Sequence, residues 1–118
     1  MISFFNKKNE NELIEISELV YIEAARCECL LHFYNHKDEC VTSPLGTITE
    51  PLPKNQFVRV HRSYVINLSY VKTYDKQAIK LTTDQTIPIG KTYTKNFYDK
   101  IYEMHSRKAT IMLKVNNG

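Results

Sequence analysis

Five residues in the first half of the chain carry soft or borderline donor atoms: Cys27, Cys29, His32, His36 and Cys40. Thiolates and imidazoles are the ligands of structural zinc, but such sites gather four donors on tight knuckles. Here the surrounding pattern alternates as an extended strand does, which sends 27 and 29 to one face and 32 to the other. No second C-x2-C pair completes a tetrahedron. The cysteines therefore read as small buried hydrophobes, and neither a metal nor another cofactor is expected. Nucleophilic catalysis fares no better. Ser63 lies two residues from His61, so hydroxyl and imidazole can share one side of a strand, yet no nucleophile elbow surrounds them. The acids have no spacing that assigns acid and base roles, and an enzyme is not expected.

A different chemistry is carried by Phe57-Val58-Arg59-Val60-His61-Arg62-Ser63-Tyr64-Val65-Ile66-Asn67-Leu68. Its cationic and polar groups fall together at a strand end, where Arg62 can present a planar fork to guanine O6 and N7 and Ser63 can reach a phosphate oxygen. The charge distribution agrees. Residues 1–53 hold 4 Lys/Arg against 9 Asp/Glu, net −5, whereas residues 54–100 hold 9 against 3, net +6. A cationic half on a small domain binds a polyanion by neutralising phosphates and releasing counterions. The plainer reading is that the halves neutralise each other as solvated faces.

The elements that must position these residues are mostly strands. With 118 residues, 42% hydrophobic and only three Gly, the chain can build one core, and disordered and fibrous classes are excluded. No apolar run reaches the roughly 18 to 20 residues that span a bilayer. The N-terminus lacks a secretory pattern, and three cysteines are an odd number, so a cytoplasmic protein with reduced thiols is expected. Residues 1–11 read as a linker or tail and 12–105 as the domain. Residues 106–118 are a C-terminal extension in which 109–115 form an extra strand. Within the domain, β-branched and aromatic residues predict strands over 19–22, 26–34, 39–42, 57–60, 64–68, 71–74, 78–82 and 86–89. Cys27, Cys29, Leu31 and Phe33 should share the drier face of the second of these. Ser43 as cap and Pro44 at the first helical position open a short helix through Leu45, Ile48 and Leu52. Gly90 and Thr92 introduce another, with Phe97, Ile101 and Met104 on one face. The expected class is mostly β, antiparallel sheets in layers with two short α-helices, and function is to be sought on its loops.

The same stretch resembles the signature of the LytTR family of bacterial DNA-binding domains, approximately F-x-R-V-H-R-S-Y-x-V/I-N, at Phe57, Arg59, Val60, His61, Arg62, Ser63, Tyr64, Ile66 and Asn67. The likeness extends to Val20-Tyr21-Ile22-Glu23-Ala24, to Ser43 through Leu52, and to Ile87-Pro88-Ile89-Gly90-Lys91-x-Tyr93. It implies a sequence-specific double-stranded DNA-binding domain of a transcription regulator: the output domain of a two-component response regulator whose receiver domain is missing here, or a stand-alone regulator. Loops of the family enter successive major grooves. Carried over by residue, the resemblance assigns base contacts to Arg62 and Lys91 and, in the loop entering the second strand, to Arg26 and Glu28. Phosphate contacts fall to Ser63, Thr92 and Lys95, with Lys54 added from the charge pattern alone. His61 and Asn67 are read as orienting and strand-end hydrogen-bonding residues. The resemblance further implies paired DNA repeats about one helical turn apart, two copies side by side on the duplex, and no membrane partner.

A protein-interaction adaptor on the same scaffold is the alternative, prompted by Glu28 and Lys91 departing from the usual family residues. Binding of single-stranded RNA lacks the aromatic RNP run that would support it.

Overall fold

The computed structural model describes the backbone of residues 1–5 and 8–117, and the side chains of residues 1, 3 and 8–106. Among the described residues ten strands form three antiparallel sheets. Strands β1 (Ile2–Phe5) and β2 (Asn11–Ile14) make a two-stranded ribbon. A five-stranded sheet has the order β5-β4-β3-β7-β6, from β3 (Leu19–Ala25), β4 (Glu28–Phe33), β5 (Glu39–Val41), β6 (Phe57–His61) and β7 (Tyr64–Asn67). Strands β8 (Val71–Tyr74), β9 (Ala78–Leu81) and β10 (Thr86–Pro88) form a meander.

The five-stranded sheet is apolar on both faces because each is covered. On one face Leu19, Ile22, Cys29, Leu31 and Val65 pack against Leu45, Ile48 and Leu52 of the α1 region (α1, Leu45–Thr49). On the other, Val20, Val58, Val60 and Ile66 meet Ile79, Leu81 and Ile87 of the meander and Phe97 and Ile101 of α2 (Thr94–Asn117). This is a three-layer arrangement around one central sheet. Among the described residues no helix is long and apolar enough to cross a membrane.

Four local expectations need correction. Residues 2–5 are not an unpatterned tail: Ile2, Phe4 and Phe5 are strand formers, and Asn9, at φ 62°, supplies the left-handed residue of the turn back to β2. The second strand of the central sheet starts at Glu28, not 26, because residues 26–27 form a turn; Cys27 is exposed there while Cys29 and Leu31 are buried. Pro44, not Ser43, is the N-cap of α1, its carbonyl taking the amides of Thr47 and Ile48, while the Ser43 carbonyl accepts the Cys29 thiol at 3.1 Å. Finally, α2 is long, and residues 109–115 continue it instead of forming a strand. No Gly or Pro interrupts 94–117, and Lys, Arg, Ala, Met and Leu favour helix.

Candidate nucleic-acid interface

The antiparallel registers bring two hairpin tips to one end of the central sheet. Ala25 pairs with Glu28, closing the β3–β4 turn at Arg26 and Cys27, and His61 pairs with Tyr64, closing the β6–β7 turn at Arg62 and Ser63. Because Glu23 of β3 also pairs with Tyr64 of β7, the turns are neighbours, and the Ala24 amide donates to the Ser63 carbonyl at 2.8 Å. A third segment joins them. The β6–β7 ladder bulges between Arg59 and His61, and the Val60 carbonyl accepts the Gly90 amide at 2.8 Å. That bond holds the start of the 3-10 turn Lys91–Tyr93 against the end of β6. A Cβ on Gly90 would lie in ordinary contact, 3.7 Å, with the His61 Cα but only 3.0 Å from the Tyr93 ring, which would have to shift by a few tenths of an ångström.

The structure thus brings Arg26, Arg62 and Lys91 to one end, all three exposed. The two hairpin turns are held differently. Arg26 sits at φ 57°, the left-handed conformation that matches a tight turn to strand twist but disfavours a side chain with a Cβ. Neither Arg62 nor Ser63 has positive φ, so the β6–β7 turn lacks that match and is supported by side chains. The Arg59 Nε donates to the His61 carbonyl at 3.3 Å, and its Nη2 donates to the Arg62 carbonyl. The His61 Nδ1 accepts the Ser63 amide at 3.1 Å, which makes Nε2 the protonated nitrogen of the neutral ring. Arg59 was absent from the sequence-derived site residues; a cation midway along an otherwise apolar strand is the signal that marks it.

Behind the tips lies a polar aromatic cluster. Tyr21 stacks on His32 with centroids 4.0 Å apart, and the His32 nitrogens face Glu23 at 3.3 Å and Asp38 at 3.0 Å. The Tyr64 hydroxyl donates to Glu23 at 3.4 Å. Burial, reinforced by the Glu23 carboxylate, pushes the Tyr21 phenol up to about 12, and the same two causes raise Tyr64. Both phenols stay neutral at neutral pH and stiffen the sheet end without adding anionic charge.

The remaining expected site residues are more dispersed. Glu28 begins β4, and its carboxylate accepts the Cys40 thiol at 2.9 Å. Thr92 is exposed in the 3-10 turn beside Lys91. Lys95, in the first turn of α2, pairs with Asp99 at 2.9 Å, and that carboxylate raises the ammonium pKa. Lys54 lies beyond α1, donating to the carbonyls of Thr49 and Glu50 at 3.4 and 3.2 Å. Asn67 is fully buried: its Nδ2 donates to the Leu19 carbonyl and its Oδ1 accepts the Ser69 amide, each at 2.9 Å. It ties β7 to the start of β3 and cannot reach a ligand. Among the described residues no group of three or more His, Cys, Asp or Glu is arranged to hold a metal ion.

Residues 9–102 match the LytTr DNA-binding domain. The transcriptional regulatory protein LytR of Staphylococcus aureus (strain N315) is 32% identical over 72 residues, covering 57% of this chain and 29% of LytR. The sensory transduction protein LytT of Bacillus subtilis is 26% identical over 91 residues, 70% of this chain and 36% of LytT. The chain spans about a third of the length of these curated relatives. A solved LytTr DNA-binding domain from Bacillus cereus superposes with a TM-score of 0.70 at 17% identity, covering 85% of this chain and 94% of its own, and shares the fold.

Proposed function

The chain belongs to the LytTr DNA-binding domain family, and from that premise we propose that it binds double-stranded DNA sequence-specifically in the cytoplasm to regulate transcription. The observation that carries the reading is the gathering of Arg26, Arg62 and Lys91 at one sheet end by the Ala24–Ser63 and Gly90–Val60 backbone hydrogen bonds. Arg62 and Lys91 read base edges in the major groove, Arg62 through a bidentate fork. Arg26, with Glu28 beside it, reaches the neighbouring groove. Ser63, Thr92 and Lys95 fix the register on phosphates, Lys95 exchanging Asp99 for a phosphate oxygen, and Lys54 contributes only through the long-range field. The functional unit is two copies on paired repeats about one helical turn apart, residues 12–105 forming the DNA-binding body. The domain serves as the output half of a response regulator or as a stand-alone regulator.

Selection of binding sites from random duplexes, followed by a salt titration on the enriched sequence, tests this. The reading expects enrichment of a repeated motif, with log K falling linearly against log salt. Absence of enrichment, or preference for single strands over duplex, would overturn it.

A further inference from the structure

A cleft of about 210 Å³ opens between the end of α1, the edge strand β6 and the first turns of α2. Its floor is apolar: Phe57 and Val65, on the same face of the sheet as Arg59, are both buried. Its rim is cationic, with Lys54, Arg59 and Lys100 converging from three separate elements. No carboxylate lines it, and among the described residues none of these three cations is in an ion pair. Asn96, one turn before Lys100 on α2, adds an amide to the same rim.

Lys54 already donates to the Thr49 and Glu50 carbonyls and Arg59 to those of His61 and Arg62, but neutral carbonyls leave the net charge in place, so the three cations repel one another until an anion enters. A DNA backbone would use the charges but not the floor, since phosphates and sugars gain little from buried aromatic and branched surface. The combination fits an amphiphile. The volume lies below the roughly 300 to 1,000 Å³ typical of drug-sized sites, so the occupant is one small molecule.

We propose that this cleft binds a small organic acid, a carboxylate or monophosphate head on a compact apolar body, with the head among Lys54, Arg59 and Lys100 and the body on Phe57 and Val65. The site is coupled to the β6–β7 tip through Arg59, whose Nε and Nη2 already hold the carbonyls of His61 and Arg62. A guanidinium has five N–H donors, so an anion can take the remaining ones and pin the side chain from the other side. The occupied cleft therefore stiffens the turn that carries Arg62. Binding at the cleft stands by itself; only the consequence for DNA rests on the function proposed above.

The test is an amide-resolved NMR titration of the isotope-labelled full chain with benzoate, and separately with inorganic phosphate as a head without a body. Benzoate is expected to give saturable shifts centred on residues 54, 57–59, 96 and 100, with a dissociation constant on the order of 1 mM. Phosphate should bind at least about fivefold more weakly, Lys100→Gln should weaken benzoate about fivefold, and Lys100→Arg should restore it. A dispersed spectrum for each variant certifies its fold. Shifts that do not saturate, an unchanged constant in Lys100→Gln, or phosphate binding as tightly as benzoate would each overturn the proposal. Repeating the titration with an enriched duplex bound separates a ligand site from a seat for DNA phosphate. Benzoate binding that survives supports the former, and displacement by the duplex refutes it. If no duplex is ever enriched, the titration of the free protein still decides the cleft.

Discussion

Replacing Asn67 by alanine separates scaffold from contact surface within the signature stretch. The side chain is fully buried and satisfies two backbone groups, the Leu19 carbonyl and the Ser69 amide, at 2.9 Å each. Leu19 is itself 0% exposed, so its carbonyl would lose its partner in a dry site, at a cost of about 1–3 kcal/mol. Ser69 is exposed and its amide can turn to water, so losing this 3-10 cap costs about 0.5–2 kcal/mol. Together Asn67→Ala should destabilise the fold by roughly 1.5–5 kcal/mol, a large share of the 5–15 kcal/mol typical of a domain. In urea, with a slope of about 1–3 kcal/mol per molar, the midpoint should fall by at least about 0.5 M with the slope unchanged. Duplex affinity of the still-folded variant, measured in the cold, should match the parent within about twofold, because Asn67 cannot reach DNA. A midpoint shift too small for 1 kcal/mol, or a tenfold loss of affinity in folded protein, would falsify this assignment.

Four further outcomes are expected. Arg62→Ala should cost about 1–3 kcal/mol on the preferred duplex while leaving random duplex and the urea midpoint nearly unchanged; equal losses on both duplexes would show that Arg62 does not read bases. Lys95→Ala should weaken all sequences alike and reduce the salt slope by about one, checked by fluorescence anisotropy across a salt series. Arg59→Met keeps the stem but releases the His61 and Arg62 carbonyls; it should cost roughly 1–2 kcal/mol of specific affinity and speed amide exchange at Ser63, and an unaltered exchange rate would refute its role as a brace. Tyr21 has its folded pKa raised from 10.0 to about 12, so its contribution to stability is full below pH 10 and is lost as pH rises through 12. About 1.4 kcal/mol of a total of roughly 2–3 kcal/mol should be gone by pH 11. Tyr21→Phe should lose correspondingly less between pH 9 and pH 11 in urea titrations, and a parallel decline of both proteins would count against it.

Much of this architecture was legible from residue pattern because short clusters of β-branched and aromatic residues, and apolar residues at helical spacing, are local signals. Phe57, Val58 and Val60 before Arg62, and Val65 and Ile66 after Ser63, place a connection at 61–63 without any knowledge of the rest of the fold, and the structure narrows it to a turn at 62–63. The helix face of Phe97 and Ile101 was legible for the same reason, and both are buried. What pattern could not supply was proximity. Nothing in the vicinity of Gly90 announces that its amide meets the Val60 carbonyl, because that bond depends on a bulge in a different hairpin. The brace formed by Arg59 was hidden by its own exposure class: a half-exposed cation on a strand reads as solvated until its partners are seen. The ribbon of β1 and β2 escaped because its turn depends on a left-handed Asn9 instead of glycine. The strand expected over 109–115 failed because a short apolar run carries no period long enough to tell strand from helix.

The left-handed backbone at Arg26 limits how the preference of such a domain can be retuned. Arg26 itself already bears the conformational penalty of about 1–2 kcal/mol that a Cβ meets there; a β-branched residue would add to it, whereas Asn, Asp or Gly would relieve it. Positions 62 and 91, neither of which has positive φ, meet no such left-handed penalty. Libraries aimed at new operator sequences should therefore diversify those two sites freely and keep β-branched residues out of position 26.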